Sequence, residues 1–181
     1  MSIPTQEYFL KRVKDHVMEI KHNEGVYRHL SFGRPNSNID RFDLVTWPGH
    51  LSYSGDMGGY VFARTNDMLT YFRDRDPNPD YWSEKLVAID RDGVDDFDYK
   101  KTRKFMIECL TDGVTTEELS DLEADFPEDA DMRYHEFMNL ANDANIDDAH
   151  EYILKNYTYR FMFCCFALPW AIAMYDKETG K

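Results

Sequence analysis

Residues 46–65, TWPGHLSYSGDMGGYVFART, decide the fold. Two short aromatic runs, 51–54 and 60–63, flank Gly55-Asp56-Met57-Gly58-Gly59. Apolar and polar side chains alternate within each run, as on strands with one buried face. The glycines between them supply the positive φ angles that tight hairpin turns demand. A carboxylate among glycines also suits a metal ligand or a base, which makes Asp56 a candidate catalytic residue. No histidine or second carboxylate stands at a telling spacing from it. The stretch therefore reads as a hairpin turn in which Gly55 and Gly58 or Gly59 take positive φ and Asp56 bonds its own backbone.

Outward from this turn the pattern stays β-like in one direction. Residues 39–47 alternate, with Phe42, Leu44 and Thr46 against Asp43 and Val45, and Pro48-Gly49 turns. Residues 27–32 alternate before Gly33-Arg34-Pro35-Asn36. Three to four antiparallel strands over 27–64 follow. Upstream, Tyr8, Phe9, Val13, Val17 and Ile20 recur at helical spacing, so residues 4–22 read as one helix stopped at Asn23-Glu24-Gly25.

In the other direction the period becomes helical. Asn66 or Asp67 caps a helix through Met68, Leu69 and Phe72 that Pro77 and Pro79 break. Tyr81, Trp82, Leu86, Val87 and Ile89 suggest another. Further helices are expected over 99–110, 117–124, 132–142 and 147–156, and a buried one over 157–175 around Pro169. The fold class is α+β: a small antiparallel meander packed by several helices, with a helical C-terminal half. The whole chain, 1–181, reads as a single domain with the meander at 27–64, a mainly helical part at 66–175 and an acidic segment at 112–148.

Composition supports a real core, with 43% hydrophobic and 15% aromatic residues among 181. The longest apolar run, 161–175, is short of the ~20 residues a bilayer span needs. No basic-then-apolar leader is present, and Cys109, Cys164 and Cys165 form no C-x-x-C pair. A reducing, cytoplasmic setting is the expectation.

Charge is the strongest functional signal. Thirty-four acidic and twenty-one basic residues give −13. Thirteen of those acids and a single base, Arg133, lie in 112–148, a balance of −12 that leaves −1 for the rest. Leu119, Leu122, Phe126, Tyr134 and Phe137 are interleaved with the carboxylates and can pack inward while the charges face out. A rigid acidic face of this kind imitates duplex phosphates and draws in basic, nucleic-acid-binding clefts. The residues expected to act as phosphate surrogates are Glu117, Glu118, Asp121, Glu123, Asp125, Glu128, Asp129 and Asp131. Direct binding of nucleic acid by that face is disfavoured, and Lys100-Lys101-Thr102-Arg103-Lys104 is the one basic patch visible in the sequence.

Two other patterns compete with this one. His29-Leu30-Ser31-Phe32 and His50-Leu51-Ser52-Tyr53 fit the histidine-hydrophobic-hydroxyl-hydrophobic pattern of two-histidine phosphoesterases. On that alternative, His29 and His50 would serve as acid and base with Asp56 as orienter. Their spacing is shorter than that family's, and alternating strands produce such matches readily. Asp74-x-Asp76-x-Asn78-x-Asp80 begins like a calcium loop, but Pro79 stands at the required glycine and Lys85 at the bidentate glutamate. No P-loop, dinucleotide fingerprint or zinc-ligand spacing occurs, so neither cofactor nor metal is expected.

Tyr27-Arg28-His29-Leu30, Phe42-Asp43-Leu44-Val45-Thr46-Trp47-Pro48-Gly49, Ser54-Gly55-Asp56-Met57-Gly58 and Asp67-Met68-Leu69 resemble a group of uncharacterised bacteriophage and prophage proteins. The resemblance extends to Tyr81-Trp82-Ser83-Glu84-Lys85-Leu86 and to the Cys164-Cys165 segment, and it is weakest over the acidic region. It implies an accessory protein of the infected bacterial cytoplasm, of a kind that often blocks host defence by stoichiometric binding. The group has no assigned activity, so the resemblance transfers no catalytic residue. The expectation is a non-enzymatic, anti-CRISPR-like inhibitor of a host nucleic-acid-binding or defence protein. A small phosphodiesterase using His29 and His50, and a phage structural or packing protein, are the alternatives.

Overall fold

The hairpin around Asp56 forms, within a larger sheet than the sequence suggested. The computed structural model describes residues 3–111 and 115–180. In order, the first part contains α1 (Gln6–Val13), β1 (Val17–Glu24), β2 (Tyr27–Gly33), β3 (Phe42–Trp47), β4 (His50–Gly55) and β5 (Gly58–Ala63). Next come α2 (Met68–Phe72), α3 (Pro79–Ser83) and β6 (Leu86–Ala88). The remainder comprises β7 (Asp95–Phe97), α4 (Tyr99–Leu110), α5 (Thr116–Asp125), α6 (Tyr134–Asp143), a 3-10 turn (Ala149–Tyr152), β8 (Lys155–Tyr157) and α7 (Tyr159–Thr179). The chain, expected as one domain, packs as two compact units: Met1–Val94 with Tyr157–Lys181, and Asp95–Asn156.

Six strands, rather than three or four, build the first unit's sheet, in the order β1-β2-β3-β4-β5-β6 and antiparallel throughout. The two additional strands are the sheet edges, at both of which the sequence pattern predicts helix. In β1, Met18 and Ile20 are half-buried opposite Phe32 and Leu30, while Val17, Glu19 and Lys21 face solvent. That period of two prevails over the helical spacing of Val13, Val17 and Ile20, and α1 ends at Val13. Gly25, expected to stop a helix, has φ +58° in the β1–β2 turn instead. In β6, Leu86 pairs with Phe62 and Ala88 with Val61, so the run after Trp82 is a strand and only Pro79–Ser83 is helical.

One face of this sheet carries the core. Leu30, Phe32, Phe42, Leu44, Leu51, Tyr53, Tyr60 and Phe62 are buried, and each leucine or phenylalanine among them contributes roughly 1.5–3 kcal/mol by leaving water. The apolar α7 packs on them, with Phe161 against Tyr60 at 5.4 Å and Trp170 against Phe32 at 5.8 Å. Phe9 of α1 meets Phe163 at 5.0 Å, and Phe72 of α2 stands between Phe62 and Trp82 at 5.2 and 4.9 Å. Cys164 and Cys165 are buried in this layer, and burial pushes both thiols up. The helix continues through Pro169 to Thr179.

The second unit has its own small core of Tyr99, Met106, Phe126, Phe137, Ala141 and Ala149. Asp98 caps α4 by accepting from the Lys101 N–H at 3.0 Å. The buried Thr102 hydroxyl donates to the Leu154 carbonyl and accepts from the Leu154 N–H, at 3.2 and 2.8 Å. The helices expected over 99–110, 117–124 and 132–142 are α4, α5 and α6. The one expected over 147–156 is instead a 3-10 turn followed by β8, which pairs with β7. Among the described residues no helix is long and apolar enough to cross a membrane.

Candidate acidic interface

The second unit holds eighteen acidic and six basic residues, a balance of −12, so the first unit carries only −1 of the total. All eight expected phosphate surrogates are exposed. Among the described residues none of them forms an ion pair with a lysine, arginine or histidine within 4.0 Å. Asp112, the first acid of the expected segment, lies outside the described residues.

Helix α5 organises four of these carboxylates. At 3.6 residues per turn, Glu117, Asp121 and Asp125 share one stripe with Glu118 at its edge, opposite the half-buried Leu119 and Leu122. Glu123 falls on the far side of the leucines and does not extend that stripe. Successive acids along the stripe are about 6 Å apart on the helix axis, sparser than the one charge per ~1.7 Å of a duplex. Glu128, Asp129 and Asp131 lie on the connection between α5 and α6.

Glu118 has a structural duty. Its Oε2 accepts from the Thr115 N–H at 2.7 Å and from the Thr115 hydroxyl at 2.8 Å, while Thr115 Oγ1 accepts from the Glu118 N–H at 3.3 Å. This capping box satisfies donors at the start of α5. The bonds from the Thr115 backbone and hydroxyl hold the Glu118 carboxyl below the usual range. The spacing T-x-x-E was legible in the sequence as a helix start, and it reduces Glu118's value as a free surrogate.

Phe126 and Phe137 pack inward as expected, but Tyr134 does not: it is 49% exposed, its ring edge-on to Phe97 at 5.9 Å. The nearby basic run is partly engaged. Arg103 Nε donates to the Phe126 carbonyl, and Lys104 approaches Glu108 at 3.8 Å.

The two candidate histidines stand on non-adjacent strands. His29 on β2 and His50 on β4 do share the sheet face opposite the core, but β3 runs between them. Two strand spacings, about 10 Å, separate their backbones laterally, and through β3 His29 is level with Ser52 rather than with His50. His29 Nε2 lies 3.8 Å from Asp43, and His50 stacks on Trp47 at 5.0 Å with its Nδ1 3.0 Å from the Pro48 carbonyl.

Asp56 joins neither histidine. Gly55 pairs with Gly58, leaving Asp56-Met57 as the turn, and the positive φ of +89° falls on Gly58. Gly55 is not left-handed; its requirement is steric, because a Cβ there would strike the Arg41 carbonyl. Asp56 Oδ2 accepts from the Asp40 N–H at 2.8 Å rather than from its own backbone. It thereby ties the turn to the β2–β3 loop, where Asp40 sits at φ +58°.

The chain matches no family model, no curated protein and no solved structure. The resemblance to phage proteins has no counterpart among these comparisons. Among the described residues no group of three or more His, Cys, Asp or Glu could hold a metal ion. One feature was invisible in the sequence because its members are far apart in it: Lys11, Arg12 and Lys14 converge with Arg34 around a single cleft.

Proposed function

We propose that the protein is a non-enzymatic modulator whose second unit presents an acidic helical surface to a basic, nucleic-acid-binding protein. In the setting that the phage resemblance implies, that partner is a host defence component such as a CRISPR effector, met in the bacterial cytoplasm. The observation that carries the reading is the segregation of charge: a small unit with its own core holds −12 of a net −13. A field of that size raises encounter rates with a basic cleft by roughly 10- to 1,000-fold. The carboxylates of α5 and of the α5–α6 connection make the charged contacts, and Tyr134 supplies apolar area among them.

The test is competition and salt dependence. Duplex DNA should displace the protein from its partner, and raising salt from about 50 to 200 mM should weaken the complex by at least tenfold. Binding indifferent to both would reject the electrostatic mechanism.

A further inference from the structure

The first unit, close to neutral overall, contains a locally cationic cleft of about 330 Å³ lined by Tyr8, Lys11, Arg12, Lys14, Asp15 and Arg34. Its size is at the low end for small-molecule sites, which run from roughly 300 to 1,000 Å³. Behind it lies the Asp40 carboxylate, whose side chain is 0% exposed. Arg12 is clamped to it, with Nη2 donating to Oδ1 at 2.8 Å and Nε 2.8 Å from Oδ2. The backbone of Asp40 is fixed as well, its N–H donating to Asp56 and its carbonyl 3.0 Å from His16 Nε2.

Arg34 is in a different state. Its side chain is 35% exposed, its Nη2 stands 4.0 Å from Asp40, beyond hydrogen-bond reach, and its Nε, like that of Arg12, makes no hydrogen bond among the described residues. A partly exposed guanidinium held only at 4.0 Å by its nearest carboxylate keeps donors for a ligand, and an oxyanion is the group that its planar fork suits best. Lys11 and Lys14 are exposed and form no ion pair among the described residues. Four cations against Asp15 and Asp40 leave the cleft at +2. The carbonyl end of α1 opposes this with about half a negative charge, which points to modest affinity.

We propose that this cleft binds a phosphomonoester dianion, the terminal phosphate of a nucleotide or of a phosphorylated sugar. The phosphate accepts from Arg34 and is neutralised by Lys11 and Lys14, while Arg12, already committed to Asp40, holds the floor. Tyr8, 42% exposed at the rim, offers its ring to a flat substituent. The site is independent of the acidic surface.

The experiment titrates the full chain with inorganic phosphate, adenosine 5′-monophosphate, ribose 5-phosphate and adenosine, followed by calorimetry and amide chemical shifts. The three phosphorylated probes should saturate at millimolar concentration or below, with shifts centred on Lys14 and Arg34, and adenosine should not bind. Tighter binding of the nucleotide than of the sugar phosphate assigns a base to Tyr8; equal binding assigns the phosphate alone. Arg34→Gln should weaken binding about tenfold or more, the loss expected for a charge-assisted contact. The exposed Lys11→Gln and Lys14→Gln, which do not threaten folding, should each weaken it severalfold, whereas Lys104→Gln on α4 should not. No saturable binding of any phosphate, or binding unchanged in all three cleft variants, would overturn the proposal.

Discussion

The two units of this chain divide core and charge unequally. The first buries twenty-four residues in its apolar cluster and is nearly neutral. The second is about half as long, buries six among the described residues, and holds almost all the excess negative charge. Like charges on a small body repel, and less core is present to oppose them. The second unit therefore has less core set against more charge repulsion, while the first is densely aromatic. The contrast makes three expectations measurable.

The largest effect should come from the smaller core. Phe137 contacts Phe97, Tyr99 and Phe126, so Phe137→Ala removes the ring that joins them. It should cost about 3–5 kcal/mol. Hydrogen exchange should then lose protection across 95–156 while the six-stranded sheet keeps its own. Equal loss in both units would break the division into separate cores.

The next effect belongs to the first unit and carries a pH signature. Arg28 is 5% exposed and makes two 2.9 Å hydrogen bonds to Asp67. Burial alone would raise the Asp67 carboxyl, but the hydrogen bond and charge of Arg28 prevail and hold it below the usual range. Its stabilisation is thus complete above the ordinary aspartate value of about 4 and is lost as pH falls through the lowered folded value. Asp67→Asn should cost about 3 kcal/mol, the lower end for unpairing a buried charge because Asp67 is partly exposed. Acidification relieves repulsion in the second unit over the same range. Unit-resolved exchange should therefore show the sheet losing protection below about pH 4 while the acidic unit loses proportionately less. Parallel losses, or an Asp67→Asn sheet with unaltered acid sensitivity, would contradict this linkage.

The smallest effect concerns the turn. If Asp56 serves as an acceptor for the Asp40 N–H, Asp56→Ala leaves that donor unsatisfied and costs about 1–3 kcal/mol in urea unfolding. Asp56→Asn keeps an acceptor oxygen and should recover most of the loss. A carboxylate acting as a base would show the opposite order, with Asn as damaging to biological activity as Ala.

Much of the α+β pattern was legible because local signals agreed with tertiary ones. The alternation in β2 to β5 and the helices α4, α5 and α6 read correctly from the sequence, and of the two caps it offers for α2, Asn66 and Asp67, the structure uses Asp67. The failures lie where two periods overlap. Residues 13–20 fit a helix through Val13, Val17 and Ile20 and a strand through Met18 and Ile20, and pairing with β2 decides for the strand. Leu86-Val87-Ala88 is too short to declare a period at all, and only its register with β5 makes it an edge. The acidic tract was visible, and the T-x-x-E spacing marks Glu118 as a cap, but the separation of Glu123 and the exposure of Tyr134 depend on helix phase and packing. The cationic cleft was not legible, since it needs Arg34 brought beside α1 by the buried Asp40.

The most direct test of the acidic interface is affinity capture of the tagged protein from bacterial lysate, with mass spectrometry of what is retained. It is run beside a variant carrying Glu117→Gln, Asp121→Asn, Asp125→Asn and Glu128→Gln, which spares the Glu118 cap. The account predicts a nucleic-acid-binding protein on the wild-type chain that duplex DNA releases and the variant fails to hold. The same protein held equally by the variant, or capture of nothing basic by either chain, would contradict it.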